Sequence, residues 1–258
     1  MGTRLNGKTA LVTGSTSNIG RAIAVAFGTE GAHVIVSGRS IDRGAEVVEQ
    51  ICAGGGRADF IPADLNGSPR ASRELARAAT QVLGGRIDIL VNNAGIFPST
   101  TTATTEENTF DEVYAVNVKA PYFLTAAIAP AMAAAGDGAI INLGSWISRL
   151  GIASALYSST KGAMETMTKS WAAEFGPAGV RVNAISPGVI RAPNHDGSDP
   201  GTHPVAELMM RGTPAGASGT PQAIAHAAVY LASDEAAFVH GTVIDVDGGR
   251  TAVAVIAS

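Results

Sequence analysis

Cysteine is almost missing from this chain: Cys52 is the only one, so neither an internal disulfide nor a cysteine zinc cluster can form, which suits a reducing cytosol. Histidine is sparse as well, and His195 and His203 lack the spacing or partners that demand a metal, so no metal ligand is assigned. No run of lysine or arginine occurs, and a net charge of −4 with both signs scattered offers no footprint for phosphate backbones or anionic lipid. Nucleic-acid and membrane partners are therefore not expected. The stretch "MGTRLNGKTALVTG" lacks the extended apolar region of a secretory signal, and Asn6 stands where a myristoylation signal needs Ser or Thr. The longest apolar stretch, "YFLTAAIAPAMAAAG", is interrupted by Thr125 and Pro130 and is too short to cross a bilayer. No repeat or low-complexity linker divides the chain, so the expectation is a cytoplasmic protein with a single domain over residues 1–258.

What the chain does have is a hydrophobic content of 46%, enough for a large core, delivered in short unbroken apolar runs. "TALVTG", "HVIVS", "DILVN", "AIINL", "VRVNAI" and "TVIDV" alternate with longer segments of helical period. Strands covered on both faces give such runs, so the pattern predicts an α/β fold, a doubly wound parallel sheet with helices on both faces. Helix punctuation agrees. Ser68 before Pro69 and Thr220 before Pro221 read as N-caps with proline at the first helical position, Thr104 with Glu107 reads as a capping box, and Gly176 with Pro177 ends the helix begun near Tyr157. The segment of about 189–216 is dense in Pro, Gly and polar residues and longer than a compact domain normally uses as a connection, which predicts a functional flap with a small helix around Val205 to Met210.

"TALVTGSTSNIGRAIAVAF" is a strand, a small polar loop and an amphipathic helix, a junction whose amides and dipole can hold a pyrophosphate. With "NNAG", "YSSTK" and "VRVNAISPG" in this order, the chain resembles the short-chain dehydrogenase/reductase family over essentially its whole length. The resemblance implies a Rossmann-like sheet, a nicotinamide cofactor and a small-molecule ketone or alcohol substrate. Gly14 and Gly20 match the family's glycine pattern. Asn18 stands in place of the middle glycine, a residue able to take positive φ. Ser17, Asn18 and Ile19 complete the implied pyrophosphate loop.

At the end of the second strand, Gly38 occupies the place where NAD-dependent relatives carry Asp, and Arg39 follows it. A guanidinium there, with Ser37 or Ser40 adding a hydroxyl, favours a 2′-phosphate, so NADP is expected, with NAD as the alternative. By resemblance, Asp64 and the adjoining Leu65 would bind adenine, and Asn92, Ala94 and Gly95 would run beneath the adenosine ribose. Pro187, Gly188 and Ile190 would lie beside the nicotinamide carboxamide, and Ala192, where the family often has threonine, would leave one hydroxyl contact unmade.

Tyr157 and Lys161 are four apart at the head of a helix, so phenol and ammonium share a face. Reducing a ketone needs a proton delivered to the developing alkoxide, and an ammonium beside a phenol favours phenolate, bringing a group of pKa about 10 nearer to working range. The resemblance makes Tyr157 the general acid/base, has Lys161 also hold the nicotinamide ribose, and gives Asn117 a water relay toward the lysine. Ser145 matches the serine that polarises the substrate oxygen, although its separation from Tyr157 is one residue shorter than usual; Ser148 is the reserve. Phe97, Trp146, Leu150 and Leu156, with Met209 and Met210 of the flap, would form a pocket for an apolar or aromatic ketone or secondary alcohol. The family implies a homotetramer built through long helices, and the apolar tail "TAVAVIAS" suits burial against a neighbour. Two rival readings remain: a dinucleotide-binding regulator or scaffold without turnover, and a lyase relative of the halohydrin dehalogenase kind, against which Lys161 and the glycine loop both argue.

Overall fold

Parallel strands β1 (Thr9–Thr13), β2 (His33–Gly38), β4 (Ile89–Asn92), β5 (Gly138–Leu143), β6 (Val180–Pro187) and β7 (Val243–Val246) coincide with the apolar runs of the sequence. The computed structural model describes residues 3–151, 154–191, 204–253 and 255. A further strand, β3 (Arg57–Pro62), has no counterpart among the predicted ones. It lies at the sheet edge and is half exposed, so its sequence shows no continuous apolar run. Among the described residues the sheet has seven strands, all parallel, in the order β3-β2-β1-β4-β5-β6-β7.

Helices α1 (Asn18–Thr29), α2 (Ile41–Ala53) and α8 (Pro221–Ala232) cover one face; α3 (Pro69–Val82), α5 (Ala120–Ala135) and α6 (Ala155–Phe175) cover the other. Alternation along β1 feeds both: Ala10 and Val12 pack with Ile23, Phe27 and Val229, while Leu11 packs with Leu124, Ile128 and Met132. The chain runs outward from β1 through β2 to β3 and returns to place β4 beside β1. Connections leaving the carboxyl ends of β1 and β4 therefore diverge, and this switch point is where a doubly wound sheet opens a ligand crevice.

Ser68 and Thr220 occupy N-cap positions with proline following, as predicted, although neither side chain bonds the helix amides. The predicted capping box shifts by one turn. Thr104 ends a short 3-10 turn and bonds reciprocally with Thr101, whereas α4 (Glu107–Tyr114) starts after Glu106. Helix α6 stops at Phe175, but the left-handed residue that turns the chain is Gly179, after a 3-10 turn over Gly176–Ala178. The small helix expected near Val205 is α7 (Pro204–Met210).

Helix α4 continues through a π-turn, Ala115–Lys119, into α5. The resulting helix from Glu107 to Ala135 is long enough to cross a bilayer and contains an 18-residue stretch with a mean hydropathy of 1.2. Its residues Leu124, Ile128 and Met132 are nevertheless buried in the core.

Candidate active site

The loop after β1 is shaped by close approach. Gly14 has φ 62°, and a Cβ there would lie 2.8 Å from Ala94 Cα; a Cβ on Gly20 would come within 2.4 Å of the Gly14 carbonyl oxygen. Asn18 has φ 46°, the one positive φ of a non-glycine among the described residues, so the residue replacing the middle glycine does adopt the glycine-like conformation. Ser17 occupies the N-cap of α1 without capping it, and the first turn holds no acidic side chain, which leaves amides and helix dipole facing the crevice.

The "NNAG" turn braces this loop. Asn93 Nδ2 donates to the carbonyls of Thr13 at 2.8 Å and Gly14 at 3.1 Å, while Thr13 Oγ1 accepts from the amides of Asn93 and Ala94. Asn92 corrects an expectation. As the last residue of β4 it points into the core, donating to Thr125 Oγ1 at 3.1 Å and Asn142 Oδ1 at 2.9 Å. Asn93 is the asparagine that faces the crevice, because adjacent residues at a strand end project to opposite sides.

A groove of about 430 Å³ runs along the carboxyl ends of β1, β2 and β4. Gly14, Ser17, Asn18, Ile19 and Gly20 form one wall, Ala94 and Gly95 the floor side, and Ser37, Arg39, Asp64 and Leu65 one end. Arg43, in the first turn of α2, lines the same end and is not among the residues expected there from the sequence. Its signal was available: it is four residues after Arg39. A Cβ on Gly38 would already stand 2.7 Å from Thr16 Cγ2, so the glycine at the end of β2 is packed beneath the loop.

The groove opens into a second space of about 420 Å³, and Tyr157 lines both. Ser145, Trp146, Phe97, Met209, Pro187, Gly188, Ile190 and Lys161 form the walls of this second space. Leu150, Leu156 and Met210, predicted with them, do not. Leu150 is exposed past the 3-10 turn Trp146–Ser148, and Met210, one position and hence about 100° around the helix from Met209, is buried instead. Ala192, His195 and His203 lie outside the described residues. A groove between α1 and α8 is larger, about 590 Å³, but its walls hold neither Tyr157, Lys161 nor Ser145.

The Ser145 hydroxyl neighbours the Tyr157 phenol and favours its ionised form, and Phe97 packs on the Tyr157 ring at 4.6 Å between centroids. Ser148, the reserve candidate, turns away to Glu165 and the Ser145 carbonyl. Lys161 Nζ lies 5.6 Å from the Tyr157 ring centroid and donates to the Leu143 carbonyl at 2.8 Å. Asn117 sits in the π-turn, where its Oδ1 accepts from Ile96 N at 2.8 Å and its Nδ2 donates to Ile96 O and Thr160 Oγ1. It thereby clamps the loop after β4 to α6, and both Asn117 Oδ1 and Lys161 Nζ stand close to Gly95.

Electrostatics reverse one expectation. Burial pushes the Tyr157 phenol up to about 12, only partly countered by the Ser145 hydroxyl. Burial likewise pulls the Lys161 ammonium down to about 8, against the pull of the Glu165 carboxylate. Loss of water thus outweighs the Ser145 hydroxyl at the phenol and the Glu165 carboxylate at the ammonium, and the phenol stays protonated at neutral pH.

A family model described as enoyl-(acyl carrier protein) reductase matches residues 14–251. The chain belongs to the short-chain dehydrogenase/reductase family. It is 36% identical to D-threitol dehydrogenase of Mycolicibacterium smegmatis, covering 96% of this chain and 94% of that protein. A solved structure described as a short chain dehydrogenase/reductase family protein superposes with a TM-score of 0.84 at 40% identity, over 97% of this chain and 100% of that one. Another, a candidate 2-deoxy-D-gluconate 3-dehydrogenase from Agrobacterium tumefaciens with bound NADP, gives a TM-score of 0.84 at 34% identity, over 97% and 99% of the two chains.

As a short-chain dehydrogenase/reductase the chain is an oxidoreductase of alcohols and keto groups, and its family binds a nicotinamide dinucleotide. The residues present fit that group. Backbone at Gly14 and Gly20 leaves no room for side chains, the α1 amides are uncapped by side chains, and two arginines stand at the far end of the groove. The turn after β7 supports the other end: Asp247 accepts from Gly249 N, Thr251 N and Thr251 Oγ1, and a Cβ on Gly188 would lie 2.5 Å from Asp247 Cα.

Proposed function

We propose that this chain is an NADPH-dependent carbonyl reductase, interconverting a ketone and a secondary alcohol, with Tyr157 as general acid/base. The observation that carries the reading is that Tyr157 belongs to both the dinucleotide groove and the Ser145 space, so one phenol borders the two reactants. Bound in the groove, the nicotinamide would supply the hydride. Ser145 then orients the substrate oxygen and stabilises charge developing on it, and Tyr157, protonated at neutral pH, donates the proton. Lys161, charged below its pKa of about 8, stabilises the phenolate left behind. Asn117 keeps the Gly95–Ile96 loop in register with Lys161.

NADPH over NADH is read from Arg39 and Arg43 together at one end of the groove and from Gly38 in place of a carboxylate. Gly14, Ser17, Asn18, Ile19 and Gly20 are assigned to the pyrophosphate, Ser37 and Arg39 to the 2′-phosphate, Asp64 and Leu65 to adenine, and Ala94 and Gly95 to the ribose. Pro187, Gly188 and Ile190 are assigned to the carboxamide. Phe97 and Trp146, beside Ser145 and Tyr157, suit an apolar or aromatic ketone. We read the assembly as a cytoplasmic homotetramer of single-domain subunits, its long helices offering exposed Phe110 and Tyr122 for association.

The test is NADPH oxidation across a panel of ketones with wild type and Tyr157→Phe. Turnover in wild type and its loss in the variant, with NADPH binding kept, is the expected result. Unchanged turnover in Tyr157→Phe overturns the assignment, and binding without turnover in wild type would return the regulator reading.

A further inference from the structure

Glu165 follows Lys161 by one turn of α6, which sets a carboxylate beneath the ammonium on one helix face. Its side chain is only 13% exposed, and its contacts reach across to the strand ends. Oε1 is 2.8 Å from Ser148 Oγ, which is also 2.7 Å from the Ser145 carbonyl oxygen, so one hydroxyl proton serves two acceptors. Oε2 accepts from Arg149 Nε at 3.4 Å, and Arg149 Nη1 reaches Asp245 Oδ2 on β7 at 2.5 Å. A Cβ at Gly144 would lie 2.9 Å from Glu165 Oε1, so glycine there admits the carboxylate next to the backbone that carries Ser145.

We propose that Glu165 is a positioning residue of the proton-transfer site, acting at once as the counter-charge of Lys161 and as the tether of the Ser145 loop. The inference rests on the reading of Tyr157 as the acid and goes beyond it by naming what holds its two neighbours.

Among the described residues, the charges facing Glu165 are Lys161 on its own helix and Arg149 from the loop after β5, with Asp245 of β7 beyond the arginine. Two cations and two carboxylates balance. Neutralising Glu165 leaves Arg149 with Asp245 and, among the described residues, leaves Lys161 with no carboxylate, so desolvation of its ammonium is no longer opposed. A carboxylate whose sole role was to pair with Arg149 would instead be mimicked by removing Arg149.

Glu165→Gln keeps an acceptor for Ser148 and deletes the charge. Lysine 13Cε signals, followed against pH in the free enzyme, read Lys161 directly, because the other lysines are only Lys8, Lys119 and Lys169. The Lys161 midpoint is expected to fall by roughly half a unit or more in Glu165→Gln and to stay in place in Glu165→Asp and Arg149→Met. An unchanged midpoint in Glu165→Gln, or an equal fall in Glu165→Asp, overturns the counter-charge role. Ser148→Ala cuts the tether and spares the charge; a kcat lowered severalfold with the Lys161 midpoint unmoved is expected, and an unchanged kcat overturns the tether. Because the titration needs no turnover, its failure is distinct from failure of the Tyr157 assignment.

Discussion

Phe97 packs against Tyr157 with ring centroids 4.6 Å apart and planes inclined by 50°, although Phe97 is itself 60% exposed. An exposed aromatic ring resting on the proposed acid does two things: it shields the phenol and forms one lip of the Ser145 space. Phe97→Ala removes an aromatic contact of about 0.5–1.5 kcal/mol. That lost contact should lower the melting temperature by roughly a few degrees, and steady-state kinetics should give a raised KM for an apolar ketone, because the substrate loses one apolar wall of the Ser145 space. A KM that stays at the wild-type value would show that the ring does not border the substrate.

Gly38 gives a test of cofactor choice that depends on a neighbour. A carboxylate at this position is the usual way to favour a free ribose hydroxyl, but the added Cβ would meet Thr16 Cγ2 at 2.7 Å and Oγ1 at 3.2 Å. Gly38→Asp alone should weaken binding of both dinucleotides, whereas Gly38→Asp with Thr16→Ala should move preference from NADPH to NADH. Fluorescence titration of all three proteins with both cofactors decides it. Equal behaviour of the single and double variants would mean that the loop yields freely.

Protonation sets two pH dependences. Reductive activity should hold at neutral pH and decline as pH rises through about 8, where Lys161 loses its proton, while Tyr157, with a pKa of about 12, remains a donor. Folding lowers Lys161 from 10.5 to about 8, so between those values the unfolded chain keeps a proton that the folded chain has released, and stability rises with pH across that window. Below it both states are charged, and the cost of burying the ammonium is fully present. Tyr157 acts in the opposite sense, lowering stability as pH climbs from 10 to about 12. Denaturant melts at about pH 7 and about pH 9.5 should show wild type gaining on Lys161→Met at the higher pH. A constant difference between the two proteins would exclude a lowered Lys161 pKa.

Asn18 holds φ 46° at the start of α1. Asn18→Gly should keep both stability and dinucleotide binding, since glycine takes this conformation without penalty. Asn18→Val should lose about 1–2 kcal/mol, because a β-branched side chain meets its own backbone there. Thermal melts check the stability, and NADPH titration checks whether the loop survives. A valine variant as stable as wild type would mean that the loop can relax to negative φ.

Much of this site is legible in order and spacing alone. A spacing of four from Tyr157 to Lys161 brings phenol and ammonium to one helical face wherever the helix lies, and a glycine loop between strand and helix must put amides at the carboxyl end of β1. Other positions depend on partners distant in the chain. Asn92 and Asn93 are equally polar, and only pairing of β4 with β5 sends the first to Asn142 and leaves the second at Thr13 and Gly14. Ser145 and Ser148 are separated by a single turn, and Glu165, on another element, draws one of them away.

The sequence by itself determined the layered α/β fold, the family and the residue types gathered at the crevice, because periodicity and short-range spacing act through the local backbone. Only tertiary structure decided that the Tyr157 phenol is harder, not easier, to ionise. That sign comes from how much water the packed elements exclude around phenol and ammonium together, and exclusion of water is a property of the whole assembly of side chains.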